Sequence, residues 1–198
     1  MAARTNSVDP RAERVRTLLR DAAFDLAHER PVDQLTVADL VARAGVSRQA
    51  FYQHFADRDD AVGSAFDVAF AAATADIDGE PRERILHVFD RAAEHRAMYH
   101  NVVPSAVTQR VVTAFRAALL PACEEMARQA MPVLGSISAL QPDAVSRFLV
   151  GGFQEVLRSW MADADSTDLR ARVTAALDTV DALLHRPASL DHPDDTTK

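Results

Sequence analysis

A chain of 198 residues with one cysteine, one tryptophan, six glycines and a single lysine has several chemistries closed to it. The lone Cys123 excludes an internal disulfide and any cysteine-built zinc or iron–sulfur centre within one chain. No apolar run reaches the roughly 18 residues that a membrane-crossing helix needs, so no membrane partner is expected. Arg4 has no apolar stretch behind it, which predicts no secretory signal and a cytoplasmic protein. Strand signals are missing too, because no segment alternates apolar and polar residues over a useful length. The catalytic signatures are absent as well: no Gly-rich phosphate loop, no Gly-x-Ser-x-Gly elbow and no His-Glu-x-x-His pair, so no enzyme is expected. Glu83 with His87, and His95 with Tyr99, stand four apart but lack a third ligand, so neither a metal nor a cofactor is predicted. Cys123 lies beside Glu124 and Glu125, whose charges disfavour a thiolate and argue against redox sensing.

What the chain does have is an ordinary globular composition, with 48% hydrophobic and 26% charged residues. The net charge of −7 is unevenly spread. Residues 1–60 are nearly neutral, and the remainder carries most of the negative charge. Residues 1–20 hold five Arg against Asp9 and Glu13, a basic leading edge able to meet an anionic partner.

Helical periodicity runs almost throughout, so the predicted fold class is all-α. Val15, Leu18, Leu19, Ala22 and Leu26 share one face of a helix over about 10–29, with Asp9 as cap, Pro10 at the first position and Pro31 beyond the end. Thr36 and Asp39 have capping-box spacing. Leu40, Val41 and Ala44 supply the apolar face of that helix, and Gly45 stops it. Ser47 caps the next helix, Arg48 to about Phe55, with Phe51 and Phe55 turned inward. Asp57 caps a fourth, longer helix through Val62, Phe66 and Phe70. Two short helices joined by a Gly-containing turn make a helix-turn-helix. Further helices are expected at about 82–97, 105–130, 142–162 and 167–185, with Pro121 kinking or dividing the second of them.

With Phe51 and Phe55 inward, Arg48, Gln49, Tyr52 and His54 fall on faces a core cannot use. Arg can fork onto guanine and Gln onto adenine, which suits Arg48 and Gln49 to base edges at a helix start. Tyr52 and His54 can donate to phosphate oxygens, and Arg58 puts positive charge beside the backbone. The free amides of the helix that follows Thr36 favour an anion as well.

Residues 36–58 read TVADLVARAGVSRQAFYQHFADR. Thr36, the Ala44-Gly45-Val46-Ser47 turn, Phe51-Tyr52, His54-Phe55 and Arg58 give this segment a strong resemblance to the DNA-binding domain of the TetR (tetracycline-repressor-like) family of bacterial transcription regulators. The resemblance covers about residues 10–70. It implies that Tyr52, His54 and Arg58 mostly grip phosphates, while Arg48 and Gln49 contribute to sequence reading, and Thr36 belongs with them in the DNA-binding set. One departure is plain: family members commonly carry a hydroxyl residue before the aromatic pair, where this chain has Ala50.

The resemblance also implies an N-terminal three-helix helix-turn-helix domain followed by a helical ligand-binding and dimerisation domain. The expected division is a flexible arm at 1–9, a reading domain with its connecting helix at 10–78, an effector and dimerisation domain at 79–186, and a disordered tail at 187–198. The expected partners are double-stranded DNA, a second copy of the chain and a small-molecule effector. Phe70, Phe89, Tyr99, Phe115, Met126 and Phe153 are candidates to line the effector cavity, with His87, His95 and His100 as its polar groups. Phe148, Gly151 and Gly152, with Val173, Leu177, Val180 and Leu184 of the last helix, are assigned to the dimer interface. The two glycines are costly in a helix and suggest close approach of another. The implied function is a ligand-responsive repressor acting as a homodimer on a palindrome. An activator, a ligand-independent DNA binder, and a helical protein-interaction module with a vestigial reading helix stay open as alternatives.

Overall fold

The computed structural model describes residues 9–137 and 140–184. Most of the expected arm and all of the expected tail, 187–198, lie outside the described residues. Among the described residues there is no strand, and the fold is all-α.

Local signals in the sequence place the first helices. Helix α1 (Pro10–Glu29) begins where the Asp9 carboxylate accepts from the Arg11 amide at 3.0 Å, and it buries Leu19, Ala22, Ala23, Leu26 and Ala27. A short 3-10 turn at Val32–Gln34 leads to α2 (Val37–Ala44). Helix α2 ends at Gly45, whose φ of +66° is left-handed, a conformation that costs a side-chain-bearing residue about 1–2 kcal/mol. Helix α3 (Arg48–Tyr52) is shorter than the spacing predicts. The reason lies just downstream: Asp60 accepts from the Ala56 amide at 3.1 Å, and Asp57 accepts from the Asp60 amide at 2.8 Å, so the chain has left the helix by Ala56. Helix α4 (Arg58–Thr74) starts on that cap.

The remaining helices are α5 (Pro81–Glu94), α6 (Arg96–Val102), α7 (Val107–Ile137), α8 (Pro142–Ala162) and α9 (Leu169–Leu184). Two differ from expectation. The helix predicted over 82–97 breaks at His95, where Arg96 turns away to donate through Nε to the Ser166 carbonyl at 2.7 Å and through Nη2 to that of Ala164. Pro121 does not divide α7, which continues through it and through Pro132 to Ile137. Both prolines lie on the exposed side of the helix, while Leu119, Ala122, Cys123 and Met126 stay packed on the other.

Helix α7 packs along α8 and also against α4 and α5, while α1 lies across α2, α4 and α6. One hydrophobic cluster runs from Leu19 in α1 to Leu177 in α9, with Trp160 among its largest fully buried side chains. The fold thus seats α2 and α3 at one end of a bundle that α4 enters lengthwise.

Candidate nucleic-acid interface

The outward face of α3 is built from its own caps and floor. Ser47 Oγ accepts from the Ala50 amide at 3.1 Å, a bond of the kind worth about 1 kcal/mol to a helix start. Phe51 and Phe55 are buried with ring centroids 5.8 Å apart, and they anchor the helix from below. The guanidinium of Arg16 in α1 lies 5.8 Å from the Phe55 ring centre, so a basic group braces that floor. This residue was visible only as one of five arginines on the leading edge.

Above the floor the candidate residues divide. Arg48 and Gln49 are exposed, and Arg48 enters no ion pair among the described residues. Tyr52 is 61% exposed with its ring edge-on to Phe51 at 5.3 Å, so the side chain is fixed at its base and open beyond it. Ala50 and His54 are half-buried beside them.

Thr36 and Arg58 are differently placed. The Thr36 hydroxyl accepts from the Asp39 amide at 3.2 Å and donates to Asp39 Oδ2 at 2.7 Å, while the Thr36 amide donates to the same oxygen at 2.9 Å. Arg30, the residue that follows α1, closes this box with an ion pair of 3.0 Å to Asp39. These bonds from Thr36, with Arg30 beside them, hold the Asp39 carboxyl below the usual carboxylate range. Arg58 Nη1 donates to the carbonyls of Asp33 at 2.9 Å and Leu35 at 3.0 Å, and its Nε donates to Asp59 at 2.8 Å. Arg58 therefore ties the start of α4 to the loop before α2, a structural role that sequence spacing does not reveal.

The expected effector cavity is not open at the residues assigned to it. Phe70, Phe89, Tyr99, Phe115, Met126 and Phe153 are all buried, and five of them interlock as rings. Phe70 lies 4.9 Å from Phe115, Phe115 5.4 Å from Phe89 and 5.9 Å from Tyr99, and Phe89 6.3 Å from Phe153. The free space beside Phe70 and Tyr99 is about 10 Å³, barely room for one water. Burial alone holds the Tyr99 phenol well above its ordinary pKa. Of the polar candidates, His87 borders a separate surface groove, His95 bonds to His28, and His100 Nδ1 donates to the Met161 carbonyl at 2.8 Å.

The stripe assigned to the partner also splits. Val173 and Leu177 are fully buried in the chain's own core, against α5 and α8, so they cannot meet a second chain. Phe148 is 74% exposed and Leu183 64% exposed; with Val180, Leu134, Leu140 and Leu149 they border an apolar groove of about 330 Å³. Gly151 and Gly152 are exposed on α8, and among the described residues no other helix comes within 4 Å of where a Cβ would sit. The Leu184 side chain lies outside the described residues. Among the described residues no three His, Cys, Asp or Glu side chains gather as metal ligands, and no helix is long and apolar enough to cross a membrane.

Residues 19–62 match the family of bacterial regulatory proteins, tetR family. No curated protein matches the chain. Among solved structures, the fold is similar to a protein of Syntrophomonas wolfei described as a TetR-family transcriptional regulator (15% identity, TM-score 0.59), covering 90% of this chain and 99% of the other. A TetR-type transcriptional regulator of Streptomyces avermitilis is 25% identical, with TM-score 0.54 and coverage of 84% and 98%. The fatty acid degradation regulator FadR of Bacillus halodurans is 17% identical, with TM-score 0.57 and coverage of 85% and 97%.

Proposed function

Since residues 19–62 match the tetR family of bacterial regulatory proteins, we propose that the chain acts in the cytoplasm as a homodimeric, ligand-responsive repressor that reads a palindrome. The observation that carries the reading is the outer face of α3. Arg48, Gln49 and Tyr52 stand exposed on a helix whose other side is locked by Phe51 and Phe55. A guanidinium and a carboxamide at the helix start supply the two forks that distinguish guanine and adenine in the major groove. Tyr52 and His54 supply hydrogen-bond donors for the flanking phosphates. At Ala50 a methyl group takes the place of a hydroxyl and suits a thymine methyl. The residues are divided into a reading domain at 10–78 and an effector and dimerisation domain at 79–186.

One reading helix contacts few base pairs, so recognition of this kind needs two copies about one helical turn apart. The exposed Phe148 and Leu183, the groove between them and the open Gly151 and Gly152 favour a partner chain on the α8–α9 face. The effector reading rests on the interlocked rings. Phe70 of α4 lies against Phe115 of α7, so a small apolar molecule that parts them shifts α4 and with it the reading helix.

Selection of bound duplexes from a random pool tests the proposal. Enrichment of an inverted repeat supports it. Recovery of no sequence above background overturns it, since a working reader prefers its site to random DNA by about a thousandfold or more.

A further inference from the structure

We infer that Arg110 of α7 is the positioning residue that fixes the angle of the reading unit on the rest of the fold, by clamping α4 across Gly63. This rests on the DNA-reading role proposed above.

The clamp is unusually complete for a surface arginine. Nη2 donates to Asp67 Oδ2 at 2.9 Å, and Nη1 donates to Asp60 Oδ1 at 3.2 Å and to the Asp60 carbonyl at 3.4 Å. These acceptors lie on α4 to either side of Gly63, and the guanidinium rests on the notch between them. A Cβ at Gly63 would stand 2.5 Å from Arg110 Cδ, 2.6 Å from Nη1 and 2.8 Å from Nε. A buried glycine inside a helix costs about 1 kcal/mol relative to alanine, and this contact is the reason the position takes one.

The contact also continues toward the reading helix. Asp60, which Arg110 holds, accepts from the Ala56 amide at 3.1 Å through its other oxygen. Ala56 follows Phe55 directly. Arg58, two residues before Asp60, holds the Asp33 and Leu35 carbonyls ahead of α2. Polar contacts therefore lead from α7 through the first turn of α4 to both ends of the α2–α3 unit. Exposed ion pairs add little to stability, and Arg110 is 40% exposed beside carboxylates of similar exposure. What three directed bonds over a fitted notch supply is orientation. Two reading helices held at a set angle accept one half-site separation; freed from the clamp, they accept several.

Two variants remove the clamp by opposite routes. Arg110→Met keeps the stem and deletes the donors. Gly63→Ala keeps every charged group, strengthens the helix and expels the guanidinium. Asp67→Asn serves as a third should either fail to fold. Each is made in the full chain with spin labels at Gln53→Cys in the turn after α3 and Glu155→Cys on α8, both exposed, the native Cys123 being buried.

The inference expects a broadened label-to-label distance distribution in both clamp variants, with little change in thermal midpoint. It also expects loss of about tenfold of the discrimination between a selected palindrome and versions with one base pair added or removed between the halves, binding to an isolated half-site being unchanged. Arg110→Lys, which keeps one ion pair, should recover part of it. An unchanged distance distribution in Gly63→Ala overturns the inference whether or not DNA is bound, as does equal loss on half-site and palindrome. A wild-type chain that binds no duplex sinks the DNA-reading role instead, while the distance measurement still decides the clamp.

Discussion

His28 and His95 share a hydrogen bond of 3.2 Å between α1 and the corner where α5 gives way to α6. His28 Nδ1 donates to the Phe24 carbonyl at 2.8 Å, and the bond between its Nε2 and His95 Nδ1 holds a single proton, so the two rings cannot both be fully protonated while it lasts. Phe24 packs edge-on against both rings, at 4.6 Å and 5.3 Å. The junction between the helix that floors α3 and the larger helical body thus contains a pair of imidazoles joined by one hydrogen bond.

That arrangement fixes the sign of the pH dependence. Burial, followed by repulsion from His28, holds the pKa of His95 below its ordinary 6.5, against the pull of Glu94. Burial also lowers His100, opposed by its bond to Met161. Above 6.5 both states are neutral and nothing is gained or lost. As pH falls below 6.5 the unfolded chain takes up protons that the fold still refuses, so stability drops until the lowered folded values are reached. The thermal midpoint should therefore fall between about pH 7 and about pH 5, and His95→Gln should flatten part of the slope. A midpoint that rises on acidification would mean the imidazoles are charged in the fold.

Gly45→Ala should destabilise the chain by about 1–2 kcal/mol, read from the denaturant midpoint. Among the described residues, no side chain or other segment comes within 4 Å of the added methyl, so the cost is one of backbone conformation. Gly45→Asn should recover part of it, because asparagine tolerates positive φ. Equal stability of all three chains would count against a left-handed residue in the turn.

Arg58 separates two roles that a resemblance runs together. If it only supplied charge to a phosphate, Arg58→Lys would bind DNA almost as the parent does. Because its Nη1 holds the Asp33 and Leu35 carbonyls while its Nε holds Asp59, an arrangement one ammonium cannot span, both Arg58→Ala and Arg58→Lys should cost about 1–2 kcal/mol of stability, measurable without DNA. Tyr52→Phe serves as the contrast. Its side chain is largely exposed, so the change should leave stability intact and weaken binding to all sequences alike.

What the sequence made legible was what is decided locally. The Asp9, Thr36, Ser47 and Asp57 caps, the Gly45 stop and the inward Phe51 and Phe55 all depend on neighbours within a few residues. What it hid depends on distant partners. Arg58 reaches back 25 residues to Asp33, and Arg110 reaches back 50 to Asp60. The α5–α6 break answers to Ser166, 70 residues on. The aromatic residues assigned to a cavity close on one another instead, since periodicity reports which side chains turn inward but not whether space remains between them. The same limit explains the last helix: a continuous stripe marks a buried face and is silent about which neighbour buries it.

The α8–α9 face gives the sharpest contrast between positions. Val173 and Leu177 are 0% exposed, so Leu177→Glu would place a carboxylate in the chain's own core, which costs several kcal/mol, and should unfold it. Phe148 is 74% exposed on α8 and Leu183 64% exposed on α9, and a charge at either meets only water in a lone chain. Phe148→Glu with Leu183→Glu should leave helical content and thermal unfolding of the monomer intact. In sedimentation velocity the double variant should run as a single chain where the parent runs as a pair. Operator affinity should fall with it, because two half-sites held by separate chains lose the effective concentration that pairing provides. A double variant that still sediments as the parent does would move the interface to another face of the bundle.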